Sequence, residues 1–127
     1  MATFSKRSLK NLSQCHPDLQ TLFNEVIQYV DCVVICGHRN EMDQNIAFEH
    51  GYSKLEWPKS KHNSMPSMAA DVCPFPIEWK NEQSFIDFGN FVMKTADSLY
   101  KQCKISHRVE WGGTWKWKDY PHYQLRS

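Results

Sequence analysis

The feature that most limits the fold is one long amphipathic stretch over about 82 to 103. Phe85, Phe88, Val92, Ala96, Leu99 and Cys103 recur at the three- and four-residue spacing of a single helical face. Lys101 and Lys104 stand at its end, where cations complement the helix dipole. A helix of that length must lay its stripe on a partner layer. The strand-like segments available are short: Cys32 to Cys36 (CVVIC), Ala69 to Cys73, and two in the tail ISHRVEWGGTWKWKDYPHYQLRS. The tail reads as strand, Gly-Gly turn, aromatic loop and strand. The predicted class is α+β, with helices packed on a small antiparallel sheet.

The remaining elements follow from local signals. Leu19, Leu22, Phe23, Val26, Ile27 and Val30 predict a helix over about 17 to 30, with Pro17 at its first position and Asp18 in its first turn. The apolar, β-branched run at 32 to 36 reads as a strand buried on both faces. Asn40 is a suitable cap and Gly51 a suitable stop for a helix over about 41 to 50. Residues 51 to 68 read as a long irregular loop, a type that in compact domains is usually functional or disordered. Lys6, Arg7 and Lys10 read as a solvated end.

Size and charge exclude several classes. A chain of 127 residues is expected to form one domain over 1–127. Fifteen basic and fourteen acidic residues give +1, which argues against a nucleic-acid binder. The alternation Trp115-Lys116-Trp117-Lys118 could suggest a base-stacking platform, but the neutral balance makes that reading poor. No apolar run approaches a membrane span, and no apolar segment follows the basic residues near the start, so no signal peptide is expected. Five cysteines without a CxxC pair suggest a reducing compartment and free thiols. Cys32 and Cys36 read as buried thiols, as does Cys73.

Three segments carry candidate chemistry: Gly37-His38-Arg39, Ser60-Lys61-His62 with Asp71 nine positions after the histidine, and Asp119-Tyr120-Pro121-His122. Imidazole and carboxylate suit a borderline cation such as Zn²⁺, and three protein ligands with one open position mark a catalytic site. His62, Asp71 and His122 would supply that count. Asp119 is then a free carboxylate three residues before a ligand, placed to move a proton. Taken bare, a His–Asp pair of this kind is more often a surface pair or a hydrogen-bonded core histidine. Arg39 alone reads as a surface ion pair with Glu41 or Asp43.

The wider strings SKHNSMPSMAADV, PFPIEW and EWGGTWKWKDYPHYQL resemble the zinc D-alanyl-D-alanine carboxypeptidase/dipeptidase family, over about Cys36 to Leu125. Within it they are most similar to the phage branch of L-alanyl-D-glutamate endopeptidases used as endolysins. Eight residues separate His62 from Asp71, where many members have six, and the acidic position holds Asp119 where many carry Glu. Both departures fit the phage branch. The resemblance implies the fold shared with the Hedgehog signalling domain. It implies zinc on His62, Asp71 and His122, Asp119 as the catalytic base, and Arg39 at the scissile carbonyl or the substrate carboxylate. It places Ser60, Trp111 and Trp115 as candidate substrate contacts. It also implies a peptidoglycan stem peptide as substrate, and residues 1–127 are expected to be a single zinc peptidase catalytic domain with no separate cell-wall-binding domain. The enzyme would be a monomer made in the host cytoplasm and reaching the wall through a holin. Its alternatives are D-alanyl-D-alanine carboxypeptidase or dipeptidase activity, or a non-catalytic zinc module of the same fold.

Overall fold

The computed structural model describes residues 2–127. Four helices and four strands follow in the order α1 (Lys6–Ser13), α2 (Pro17–Val26), β1 (Cys32–Cys36), α3 (Glu41–Glu49), β2 (Ala69–Pro74), α4 (Glu82–Lys101), β3 (Val109–Trp111) and β4 (His122–Leu125). Two short 3₁₀ turns, Lys61–Asn63 and Gly112–Thr114, precede β2 and β4. The strands form one antiparallel sheet in the order β1-β2-β4-β3. This is the expected α+β architecture.

Strand alternation divides the sheet into two chemically different faces. Val34, Ala70, Val72, Tyr123, Leu125, Val109 and Trp111 point to the helices and join Leu19, Phe23, Phe88, Val92 and Ala96 in the core. The cross-strand pairs Asp71↔His122 and Ala69↔Gln124 fall on the opposite face. Burying the apolar face under α2 and α4 therefore fixes which way the polar pairs must point.

α1 is the element that the sequence did not predict. It buries only Ser8 and Leu12, so its apolar face is too thin to register as a period. Polar contacts seat it instead: Asn11 Nδ2 donates to the Val34 carbonyl at 2.9 Å, and Ser8 Oγ accepts from the Val34 amide at 3.1 Å. The helix predicted over 17 to 30 ends at Val26, and the last turns are irregular. β1 is not buried on both faces. Val33, Ile35 and Cys36 are half-buried because β1 is an edge strand.

A clamp ties α2 to the approach of β3. Asp18 Oδ2 accepts from the Ser106 amide, the Ser106 hydroxyl, the His107 amide and His107 Nδ1, at 2.7–3.1 Å. His16, the cap of α2, accepts the Asp18 amide on its Nδ1 at 3.0 Å. These donor atoms lie close enough to suggest a cation site. Their hydrogen bonds account for the arrangement without one.

Candidate metal centre

β2 and β4 bring the central pair together. Asp71 and His122 are direct cross-strand partners, and Asp71 Oδ1 lies 3.2 Å from His122 Nδ1. His62 arrives from the other side on the Lys61–Asn63 turn, with Nε2 also 3.2 Å from Asp71 Oδ1. The two imidazole rings meet edge to face at 5.1 Å. His62 is 2% exposed and His122 7%.

The outer hydrogen bonds decide which nitrogens are free. His62 Nδ1 is 2.8 Å from the Gly37 carbonyl, which can only accept, so Nδ1 carries the proton. In the neutral ring Nε2 is then a bare lone pair aimed at the Asp71 carboxylate. His122 Nε2 faces Gln124 Oε1 at 2.8 Å, which leaves Nδ1 bare toward the same oxygen. With both rings neutral, two imidazole lone pairs would face one carboxylate oxygen, each 3.2 Å away. Such a cluster requires a shared cation, either a proton or a metal. The outer carbonyl and amide oxygens are the partners that orient metal-ligating histidines.

The electrostatics agree. Burial alone pushes the His62 imidazole down, but the charge and hydrogen bond of Asp71, aided by Cys36, raise it to about 10. The Asp71 carboxyl is itself held far below the carboxylate range: burial opposes this, and His62 and His122 outweigh it. The donor set of two nitrogens and a carboxylate fits Zn²⁺ with a position left open.

Asp119 sits where the Gly112–Thr114 turn returns to β4. Its amide donates to the Gly112 carbonyl at 3.0 Å, and its carbonyl accepts from the His122 amide at 3.1 Å. A methyl group on Gly112 would overlap the Asp119 backbone, so the close approach needs glycine. Burial, then the Asp71 charge, raise the Asp119 carboxyl, while His122, His62 and Arg39 pull it partly back.

Arg39 does not pair with Glu41 or Asp43. Its Nη2 lies 3.6 Å from Asp71 Oδ2 and its Nη1 donates to Gln44 Oε1 at 3.0 Å. A bulge between Val34 and Cys36 sets Cys36, rather than Ile35, opposite Asp71. Cys36 is therefore not a core thiol. Its Sγ is 3.9 Å from both His62 Nδ1 and Arg39 Nη2, and it presents a donor atom within 4.8 Å of those of His62 and Asp71. Cys73 is fully buried, and burial with the Asp71 and Asp119 charges pushes its thiol up to about 12.

The three candidate substrate contacts separate. Trp115 packs beside His122, with ring centroids 5.2 Å apart. Ser60 is 8% exposed, and its Oγ accepts the His62 amide at 3.2 Å. It caps the turn that bears His62. Trp111 is 6% exposed, so it does not wall a cleft. Its indole is clamped between Gly89 and Gly113, stacks on Tyr123, and donates Nε1–H to the Tyr120 carbonyl at 2.7 Å. The expectation of a substrate-facing ring failed because the glycines make room for the indole, not for a ligand.

Gln44 and Asn63 were not singled out in the sequence. Both are buried and both bond to Arg39. A lone Gln on a mostly polar helix carries no signal of this; the Asn three residues after Ser60 does, as a capping box.

The model of one protein family, phage L-alanyl-D-glutamate peptidase, matches residues 1–125. Among solved structures, the chain is similar to the Serratia marcescens L-Ala D-Glu endopeptidase ChiX. The identity is 30%, the TM-score is 0.76, and the match covers 98% of this chain and 90% of that one. No curated protein matches. Among the described residues, no helix is long and apolar enough to cross a membrane.

Proposed function

The chain belongs to the phage L-alanyl-D-glutamate peptidase family, and from that premise we propose that it is a zinc-dependent peptidoglycan hydrolase that cuts the L-alanyl–D-glutamate bond of stem peptides. The observation that carries the zinc reading is the meeting of His62 Nε2 and His122 Nδ1 on one Asp71 oxygen, with the outer ring nitrogens engaged by the Gly37 carbonyl and Gln124. These three residues would hold the ion. When bound, zinc supplies Lewis acidity, polarising a carbonyl and acidifying water.

The chain's own groups do the rest. Asp119 takes a proton from the attacking water and delivers it to the leaving D-glutamyl amine. Burial and the Asp71 charge raise its carboxyl, the direction that suits a group that must both accept and release a proton. Arg39, permanently charged and directed at the Asp71 side of the site, stabilises negative charge growing on the carbonyl oxygen. Trp115 packs against His122 and borders the substrate path. The family's phage character supports a role as an endolysin. Such an enzyme would be made in the host cytoplasm, reach the wall once a holin opens the membrane, and act as a monomer.

Purified peptidoglycan, digested with and without a chelator, tests this reading. New amino-terminal D-glutamate should appear, and chelation should abolish it. Release of D-alanine or D-alanyl-D-alanine instead would reassign the bond. Asp119→Ala should retain zinc by elemental analysis and lose turnover. Unchanged turnover in that variant would remove Asp119 from the chemistry, and no hydrolysis by the wild type would leave a zinc-binding module.

A further inference from the structure

Gln44 is 0% exposed, although it lies on a helix whose neighbouring positions are largely open to solvent. Every hydrogen-bonding position of its amide is filled. Oε1 accepts from Arg39 Nη1 at 3.0 Å and from Asn63 Nδ2 at 3.1 Å. Nε2 donates to Ser53 Oγ at 3.0 Å and to the Leu55 carbonyl at 2.6 Å. Asn63 in turn donates to the Arg39 carbonyl at 3.0 Å, and the Arg39 amide donates to the His62 carbonyl at 2.8 Å. One buried amide thus joins α3, the loop after Gly51, the turn that bears His62 and the Arg39 guanidinium.

We infer that Gln44 is a positioning residue for Arg39, holding its guanidinium beside the centre and away from a closer, forked pairing with Asp71. The inference rests on the reading of Arg39 as the cation at the scissile carbonyl. A free guanidinium prefers the forked, two-bond geometry with a carboxylate. Here the only contact is a single one at 3.6 Å, with the other terminal nitrogen committed to Gln44. That commitment leaves Asp71 Oδ1 to the two histidines. Gln44 touches neither Asp71 nor His122; its routes to the centre are Arg39 and, through Asn63, the turn that bears His62, and zinc content followed beside kcat separates the two.

The test is a double-mutant cycle on hydrolysis of a synthetic stem peptide containing the L-alanyl–D-glutamate bond. kcat, KM and zinc content are followed together. Q44L should lower kcat about 10- to 100-fold, the scale expected when a catalytic group is displaced by about an ångström. In an R39A background the same change should cost nothing further. If Q44L does not fold, Q44N serves: its amide is too short to reach Arg39, and it carries the same expectations. Equal losses in both backgrounds, or a wild-type kcat in Q44L, overturns the inference while Arg39 keeps its role. An R39A enzyme that turns over at the wild-type rate removes the Arg39 reading and the inference with it.

Discussion

Removing the Asp18 carboxylate should cost far more than an ordinary surface substitution. One oxygen of this side chain satisfies two backbone amides, a hydroxyl and an imidazole. Asp18→Ala strands the Ser106 and His107 amides; a fully buried amide without an acceptor costs about 1–3 kcal/mol, and these two are part-buried. The Asp18 side chain is 12% exposed and that of His107 30%, so water recovers part of the loss. The expected destabilisation is about 2–4 kcal/mol. It should depend on pH with a definite sign. Burial pushes the Asp18 carboxyl up, but the donors of His107 and Ser106 prevail and hold it below its ordinary 3.8. A depressed carboxyl stabilises the fold at every pH above its unfolded value and loses that contribution as pH falls through the folded value. Urea melts of the wild type and Asp18→Ala should therefore differ fully at pH 5, and the gap should close below about pH 4. A gap under about 1 kcal/mol at pH 5, or one unchanged to pH 2, would refute the clamp.

Three further outcomes follow from other parts of the molecule. Zinc uptake by the apoprotein at pH 8 should release about one proton, because His62, raised to about 10, must give up its Nε2 hydrogen; titration calorimetry in buffers of different ionisation heat measures this, and no release would show that His62 carries no Nε2 hydrogen in the apoprotein. Tyr123→Phe should leave stability unchanged or raise it by about 1 kcal/mol, since the buried hydroxyl has no hydrogen-bond partner; a loss above that in thermal melts would point to a water bound in the core. Gly89→Ala should destabilise by about 1–3 kcal/mol by pushing a methyl into the Trp111 indole; a red-shifted tryptophan emission should accompany the loss, and an unchanged melting temperature would show that the ring has room to move.

The sheet and long helix were legible because their signals are periodic and redundant. Phe85 to Leu99 can form one stripe only, and Asp71 and His122 sit on strands whose apolar residues settle which face they take. His62, Asp71 and His122 stood out by donor type. α1 was not legible, because two polar contacts to Val34 hold it rather than an apolar face. The partner of Arg39 was hidden by a bulge: without the extra residue in β1, the chain would leave for α3 with a different register. Trp111 misled because the same Trp-Gly-Gly string suits a ligand cleft and an indole wedged between glycines. Only Gly89, 22 positions earlier in the chain, distinguishes the two.

The place of β4 in the sheet also bears on how the protein comes into being. This strand is the last in chain order, yet it lies inside the sheet between β2 and β3. While a ribosome is still making residues before 122, the emerging chain holds His62 and Asp71 but neither Asp119 nor His122 in place. The helices and the β1–β2 pair can form early, but β3 has no neighbour and the polar cluster has only half its members. The polar cluster therefore stays incomplete until residues 122–125 are made and pair with β2 on one side and β3 on the other.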